Sequence, residues 1–444
     1  MRVYFIGIGG IGVSALAEYF LEKGNRIFGS DLVSSEITRA LEKKGAKIYI
    51  GRHRAENITK NIDLVIHSPA VQPDNPELKQ SKKLKIKTQS YPQALGEMTK
   101  NYFTIAVAGT HGKSTTTAML GLLLARAGLD PTVIVGTKIK EFQGSNCRTG
   151  KSKYLVIEAC EHEESFLNYW PKIIIITNIE KEHLDYYKNF NNVLKGFEKF
   201  VSHLSGGGIL VINKDHKNTP KLLNKIKKLK LKTCYFSLKQ KETLSVKKVM
   251  RVPGEHNIYN ALAALAVARI LKIPDKTSYK SLADYQGAWR RFEIKEVFLR
   301  NKNNKIIVIN DYAHHPTEIK ATLAAAREKF PEKKIWVIFQ PHQYQRTFYL
   351  FKDFINVFSR APADKIIIID IYDVAGRENI AIKEKISSFK LIQKLKKKNK
   401  KKEFFYLSTI QKAKDYLNKN LKEEEVVVIM GAGDVYKLAD KLDN

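Results

Sequence analysis

Residues Ile105-Ala-Val-Ala-Gly-Thr-His-Gly-Lys-Ser-Thr-Thr-Thr117 join an apolar run, two glycines, a lysine and a row of hydroxyls. That order predicts a buried strand, a tight turn and the first turn of a helix. Gly109 and Gly112 let backbone N–H groups converge on an anion, Lys113 adds a point charge for the outer phosphates, and Ser114 offers a hydroxyl to Mg2+. Gly109, Thr110, His111, Gly112, Lys113, Ser114 and Thr115 are therefore a candidate phosphate cradle. The apolar helix expected next, Ala118 to Ala127, aims the positive end of its dipole at the same place. The turn departs from the strict pattern G-x-x-x-x-G-K-S/T, because Val107 stands five positions before Gly112. The order of the parts nonetheless points to a nucleoside triphosphate and to phosphoryl chemistry.

Six other stretches carry candidate chemistry. Gly7-Ile-Gly9-Gly10-Ile-Gly12, followed by Asp31 at the end of the next strand, is a dinucleotide-type fingerprint. It predicts a nucleotide or pyrophosphate on a helix N-terminus and does not by itself select NAD. Glu158-Ala-Cys-Glu161 follows an apolar strand, where an acid suits Mg2+. Thr177-Asn-Ile-Glu-Lys-Glu-His-Leu-Asp185 brings His183 to the same edge. Pro253-Gly-Glu-His-Asn-Ile-Tyr-Asn260 opens a helix with His256 and Asn260 at i, i+4, a spacing that can flank a purine. The plainer reading of that stretch is a helix cap supplied by Asn257. Asp311-Tyr-Ala-His-His-Pro-Thr-Glu318 and Phe339-Gln-Pro-His-Gln-Tyr-Gln-Arg-Thr347 are polar clusters just past buried strands, poor candidates for core packing. In the first of them, proline and threonine are expected to cap the helix that follows.

The elements that must position these residues are three α/β units in series. Strands are expected at Val3–Gly7, Arg26–Gly29, Lys47–Ile50 and Leu64–His67, then at Tyr154–Glu158, Ile173–Thr177 and Gly208–Ile212, and finally at Ile306–Asn310, Ile335–Phe339, Lys365–Ile369 and Val426–Met430. Several are continuous apolar runs, as parallel strands covered on both faces require. The length of 444 residues fits about three domains at roughly 150 residues each. The fold expected is α/β, with a Rossmann-like N-terminal domain (1–98), a central P-loop ATP-binding domain with a parallel sheet (99–289) and a C-terminal Rossmann-like domain (290–444).

Three cysteines without CxxC spacing argue against a disulfide framework or structural zinc and fit a reducing compartment. No run of 18 apolar residues predicts a membrane span, and the N-terminus, which opens on strand residues, lacks a cleavage pattern. A cytoplasmic protein without membrane insertion is expected. The net charge of +32 raises the question of a nucleic-acid partner. Lysine is spread along the chain, with dense runs only near Lys225–Lys232 and Lys394–Lys402, so a solvated lysine-rich surface is the simpler account and no nucleic acid is expected. A nicotinamide-dependent oxidoreductase built on Gly7–Gly12 would leave the phosphate loop and Glu158 unexplained.

With these motifs in order, the chain resembles the Mur ligases from Val3 to about Leu438. The family's Gly-Thr-His-Gly-Lys turn is Gly109–Lys113, its Asp-Tyr-Gly/Ala-His-His-Pro-Thr-Glu stretch is Asp311–Glu318, its Gln-Gly-x-x-Arg-Arg-Phe-Glu is Gln286–Glu293, and its Gly-Ala-Gly-Asp is Gly431–Asp434. The resemblance implies an ATP-dependent amide ligase, monomeric or homodimeric, that joins L-alanine to the lactyl carboxylate of UDP-N-acetylmuramate through an acyl phosphate. ADP and phosphate would be released, in peptidoglycan precursor synthesis. A murein-tripeptide recycling ligase acting on the same sugar is the alternative.

By the same resemblance, Gly9, Gly10, Ile11, Gly12 and Asp31 would hold the UDP-sugar, and Lys113 would stabilise the transferring phosphate. Ser114 and Glu158 would hold one Mg2+, and Glu158 with His183 a second. His256 and Asn260 would contact adenine, and Arg291 would reach phosphate from a hinge. Tyr312, His315 and Arg346 would position L-alanine and the sugar carboxylate. Three positions depart from the family: Glu182 stands where aspartate is usual, Gln343 where arginine is usual, and Ser114 where threonine is usual. The lysine-rich stretch Asn213–Arg251 is short against the family and is expected to be a trimmed, peripheral part of the central domain.

Overall fold

The computed structural model describes residues 1–204, 207–299, 304–374 and 380–442. The described residues build three sheets. The first contains β1 (Arg2–Ile6), β2 (Arg26–Asp31), β3 (Lys47–Ile50), β4 (Leu64–His67) and β5 (Lys87–Ser90), in the order β3-β2-β1-β4-β5 and parallel throughout. The chain reverses its direction of winding at β1. The carboxyl end of that strand, where Gly7 begins the glycine turn, is therefore the place where such a sheet opens a crevice.

The second sheet contains β6 (Phe103–Ala108), β7 (Thr132–Ile139), β8 (Ser145–Arg148), β9 (Tyr154–Glu158), β10 (Ile173–Ile176), β11 (Ile209–Asn213) and β12 (Lys232–Phe236). Its order is β12-β11-β10-β6-β9-β7-β8. β6 sits centrally between β9 and β10, so the phosphate loop, Glu158 and Thr177 all emerge at one edge. The four isoleucines of β10 are buried, as are Ile105 to Ala108 of β6, which is why these runs do not alternate. The helix Lys113–Arg126 starts one turn earlier than its apolar run suggests, taking in the hydroxyl-rich residues Ser114 to Thr117.

The third sheet contains β13 (Glu293–Leu299), β14 (Asn304–Asp311), β15 (Ile335–Phe339), β16 (Lys365–Ile368), β17 (Glu403–Tyr406) and β18 (Val426–Met430), in the order β13-β14-β18-β15-β16-β17. Two buried clusters flank it. One holds Leu323, Phe339, Phe354 and Phe358, the other Trp336, Ile367, Leu417 and Leu438.

The chain divides into two compact units. One comprises Met1–Lys181, Phe190–Val249 and Tyr259–Gln286 and carries the first two sheets. The other comprises Glu182–Asn189, Met250–Ile258 and Gly287–Asn444 and carries the third.

Three features differ from the sequence expectation. β8 and β13 are antiparallel edge strands, so the second and third sheets are mixed rather than wholly parallel. The β7–β8 hairpin needs no crossover helix, only the left-handed residues Gln143 and Gly144 at its turn, and local hydropathy does not report such a turn. The lysine-rich stretch after Asn213 is not merely peripheral: β12 pairs with β11 over five residues and extends the central sheet. Beside the third sheet, the helix Pro316–Lys329 is capped by His315, with proline inside its first turn.

Candidate active site

The phosphate loop is shaped by two left-handed glycines. Gly109 has φ +131° and Gly112 φ +82°; a Cβ would lie 2.1 Å from Thr177 Oγ1 at the first and 2.4 Å from Asn260 Oδ1 at the second. Only glycine fits either place. Behind the loop, Asn178 Oδ1 accepts from His111 N at 2.9 Å, and the Asn178 carbonyl accepts from Thr110 N at 3.0 Å. Thr177 Oγ1 and Asn178 Nδ2 both donate to the His111 carbonyl, at 2.6 and 3.0 Å, and Glu180 N donates to Thr110 Oγ1 at 2.8 Å. These bonds tie the loop after β6 to the end of β10 and hold its remaining amides in place before any anion arrives.

Lys113 curls over this turn. Its ammonium donates to the carbonyls of Gly109 (2.6 Å) and Thr110 (3.0 Å) and pairs with Glu161 Oε2 at 3.0 Å. Burial alone would lower its pKa; Glu161, Cys160 and Glu158 outweigh it, and the group stays charged. Ser114 is buried in the first turn of the following helix. Glu158 Oε2 accepts from Gly136 N at 2.8 Å, which orients the carboxylate at the end of β9. A serine hydroxyl and a carboxylate are hard oxygen donors, the type that Mg2+ takes. Asn260 lies against the same turn: its Oδ1 accepts from Thr116 Oγ1 at 3.2 Å. It thus braces the cradle, a role the purine reading did not include.

At the first sheet, Gly7 (φ +76°) turns the chain, and Gly10 caps the helix Ile11–Glu22. Gly9 N donates to Asp31 Oδ2 at 2.8 Å. Asp31 therefore closes the glycine turn with one oxygen. A Cβ on Gly12 would meet the Tyr91 ring at 3.0 Å, so this glycine serves close packing. The Ile11 carbonyl accepts from Asn146 Nδ2, which also donates to Ser14 Oγ at 3.0 Å. The second sheet thereby grips the first turn of the N-terminal helix.

The second unit gathers a different set. Arg346 Nε donates to Glu182 Oε1 at 2.9 Å, and its Nη1 donates to the His342 carbonyl (3.1 Å) and lies 3.2 Å from His342 Nδ1. The His342 ring stacks on Tyr372 at 5.4 Å. Burial would raise the Glu182 carboxyl, but the Arg346 guanidinium beside it holds it well below the usual carboxylate range. His183, read from the sequence as a metal ligand with Glu158, belongs to this unit, where its backbone is left-handed (φ +53°) beside Glu182. His315 Nδ1 accepts from Thr317 N at 3.2 Å and caps its helix, and Glu318 closes the capping box. Gln343, in the place of the family's arginine, has φ +71° and precedes the helix Tyr344–Tyr349.

Arg291 lies over the Tyr312 ring at 4.9 Å and 4.0 Å from Glu318. Its neighbour Arg290, which sequence reasoning did not single out, is buried. Arg290 donates through Nη2 to the carbonyls of Gly431 and Gly433 (3.1 Å for the latter) and packs on Trp289, Tyr312 and Tyr436. It thereby links the Gln286–Glu293 stretch to Gly431–Asp434. Asn178, Thr177, Glu161 and Glu182 were likewise passed over as site residues, although all stand in stretches already marked by position after a buried strand. The signal was the position; the partner was not legible.

Burial holds the rings of His256 and His314 down to about 4. His314 Nδ1 donates to the Tyr312 carbonyl at 3.0 Å. In the unfolded chain both rings protonate near 6.5, so between about 6.5 and 4 the unfolded state binds more protons. Stability present above 6.5 is therefore lost as pH falls through that window, by up to about 1.4 kcal/mol per pH unit for each ring. Thermal melts from pH 7.5 to 4.5 should show Tm falling below about pH 6.5, with a shallower slope in His314→Gln. An unchanged slope in that variant would assign the acid sensitivity to other groups.

Three serial α/β sheets, with a braced phosphate loop at the centre of the second and an arginine- and histidine-rich edge on the third, define a modular enzyme of the phosphate-loop class. The chain belongs to the Mur ligase family: residues 2–103 match its "Mur ligase family, catalytic domain", 107–268 its "Mur ligase middle domain" and 290–433 its "Mur ligase, glutamate ligase domain". Within the family it is 40% identical, over 99% of its length and 97% of the relative's, to the UDP-N-acetylmuramate–L-alanine ligase of Clostridium tetani. It is 38% identical to that of a Sulfurihydrogenibium species over the same shares. The crystal structure of UDP-N-acetylmuramate-alanine ligase from Thermotoga maritima superposes with a TM-score of 0.78 at 28% identity, covering 100% of this chain and 98% of the other. A murein peptide ligase from Psychrobacter arcticus shares the fold, with a TM-score of 0.71 at 23% identity, covering 100% and 99%.

Proposed function

We propose that this chain joins L-alanine to the lactyl carboxylate of UDP-N-acetylmuramate at the expense of ATP, releasing ADP and phosphate. Full-length identity of about 40% to ligases of that name carries the reading. A carboxylate is a poor electrophile, since direct amide formation would expel oxide. Phosphorylation of the lactyl carboxylate gives an acyl phosphate with a good leaving group. The amine then adds to its carbonyl carbon, and phosphate departs from the tetrahedral intermediate.

The protein's part is alignment and charge neutralisation. The amides of Gly109–Ser114 cradle the triphosphate, and Lys113 neutralises charge on the phosphoryl in transit. For this it exchanges its contacts to Gly109 and Thr110 for phosphate oxygens while Glu161 keeps it charged. Ser114 and Glu158 are the residues to hold Mg2+, which when bound offsets phosphate charge. His183 is the further metal ligand, His256 and Asn260 the adenine contacts, and Arg291 a phosphate contact. Gly9–Gly12 and Asp31 hold the UDP-sugar, and Tyr312, His315 and Arg346 receive the amino acid and the sugar carboxylate. Residues 1–98, 99–289 and 290–444 are assigned to UDP-sugar, MgATP and amino acid in turn. Cytoplasmic work fits three cysteines without disulfides, and no helix among the described residues is long and apolar enough to cross a membrane.

Phosphate release from ATP should require both UDP-N-acetylmuramate and L-alanine, with glycine and L-serine weaker. Release with a murein tripeptide in place of L-alanine, and none with L-alanine, would move the chain to a recycling ligase and overturn this reading.

A further inference from the structure

The buried ion pair between Glu182 and Arg346 is only half satisfied. Glu182 Oε1 is taken by Arg346 Nε, and Arg346 Nη1 is spent on His342. Glu182 Oε2 is buried and takes no hydrogen bond among the described residues. Arg346 Nη2 likewise donates none among them. The side chains are only 8% and 9% exposed. The buried acceptor left open on this pair costs free energy unless a ligand fills it.

The two charges select the ligand. An α-amino acid is a zwitterion whose ammonium and carboxylate hang from one carbon, so a carboxylate and a guanidinium held side by side complement both ends. A ligand with a single charge would leave one end open. We propose that Glu182 anchors the ammonium of the incoming amino acid through Oε2 while Arg346 takes its carboxylate through Nη2. The inference rests on the amide-ligase reading above and adds a residue to it; no bond is made or broken at Glu182.

Two further observations fit. His315 accepts on Nδ1, so its neutral ring carries hydrogen on Nε2, 3.9 Å from Glu182 Oε2. At that distance it makes no hydrogen bond to the oxygen, and a ring N–H does not compete for the ammonium hydrogens. The departure from the family's aspartate also gains a reason: the longer arm of glutamate engages Arg346 with one oxygen and still presents the other.

The test is steady-state phosphate release with L-alanine, paired with inhibition by propionate, which keeps the carboxylate and lacks the ammonium. Glu182→Gln should raise KM for L-alanine about ten- to a hundredfold, the loss of a charge-assisted contact, and leave the propionate inhibition constant within about twofold. KM for ATP and for the UDP-sugar should hold. If propionate weakens in step with L-alanine, Glu182 only positions Arg346 and the anchor is overturned; so is it if neither constant moves. Glu182→Asp, which keeps the charge on a shorter arm, should shift L-alanine alone and carries the test should the glutamine variant fail to fold. A wild-type enzyme that does not turn over L-alanine would instead overturn the functional reading itself.

Discussion

Lys113→Ala should lose turnover by about a thousandfold or more while UDP-N-acetylmuramate binds nearly as before. The size of the effect follows from what the ammonium is placed to do. It is the cation at the mouth of the phosphate loop, buried, kept charged by Glu161, and already bonded to the carbonyls of Gly109 and Thr110. In a site that excludes water, a fixed charge aimed at the transferring phosphoryl is worth far more than on the surface, and alanine removes it without a substitute. The glycine turn after β1, proposed above to hold the sugar nucleotide, is built from other residues, Gly7 to Gly12 with Asp31, and the substitution leaves it untouched. Phosphate release gives the first quantity and titration calorimetry with the UDP-sugar the second. Surviving turnover would remove Lys113 from the phosphate chemistry; lost sugar binding would mean that the substitution disturbs the fold.

The second large effect is expected at Arg346. Arg346→Lys should cut kcat/KM for L-alanine about a hundredfold, beyond what a conserved charge predicts. The guanidinium reaches Glu182 through Nε and His342 through Nη1 at once, which only a planar fork can do. A lysine ammonium still neutralises Glu182, so the protein should fold, with Tm within a few degrees of wild type. It cannot hold the carboxylate, the His342 carbonyl and a substrate oxygen in one plane. Kinetics close to normal would exclude Arg346 from the amino-acid site.

Much of this was legible in the chain. Strand, glycines, lysine, hydroxyls and helix follow one another over thirteen residues from Ile105 to Thr117, and each acts through its own backbone or its immediate neighbours. Local order was therefore enough to expect the phosphate loop, and the same holds for Gly7–Gly12. The edge strands were not legible. β8 (Ser-Asn-Cys-Arg) is polar and β13 is largely exposed, so neither forms a continuous apolar run, and an antiparallel hairpin leaves no helical spacer to mark it. Nor was the bracing role of Asn260, whose side chain leans on Gly112 and Thr116.

The sequence by itself determined three α/β units, a phosphate loop at the centre of the second, and the edges at which candidate acids, histidines and arginines stand. These follow from periodicity and from glycine and proline chemistry, which act within a few residues. Only the tertiary structure decided the partners. Lys113 meets Glu161 across 48 residues, Arg290 reaches Gly431 across 141, and Glu182 finds Arg346 across 164. Such pairs are made by the order in which strands lie side by side, β6 between β9 and β10 and β18 between β14 and β15. That order is set by the packing of whole faces, and no local pattern encodes which distant charge a buried side chain must meet.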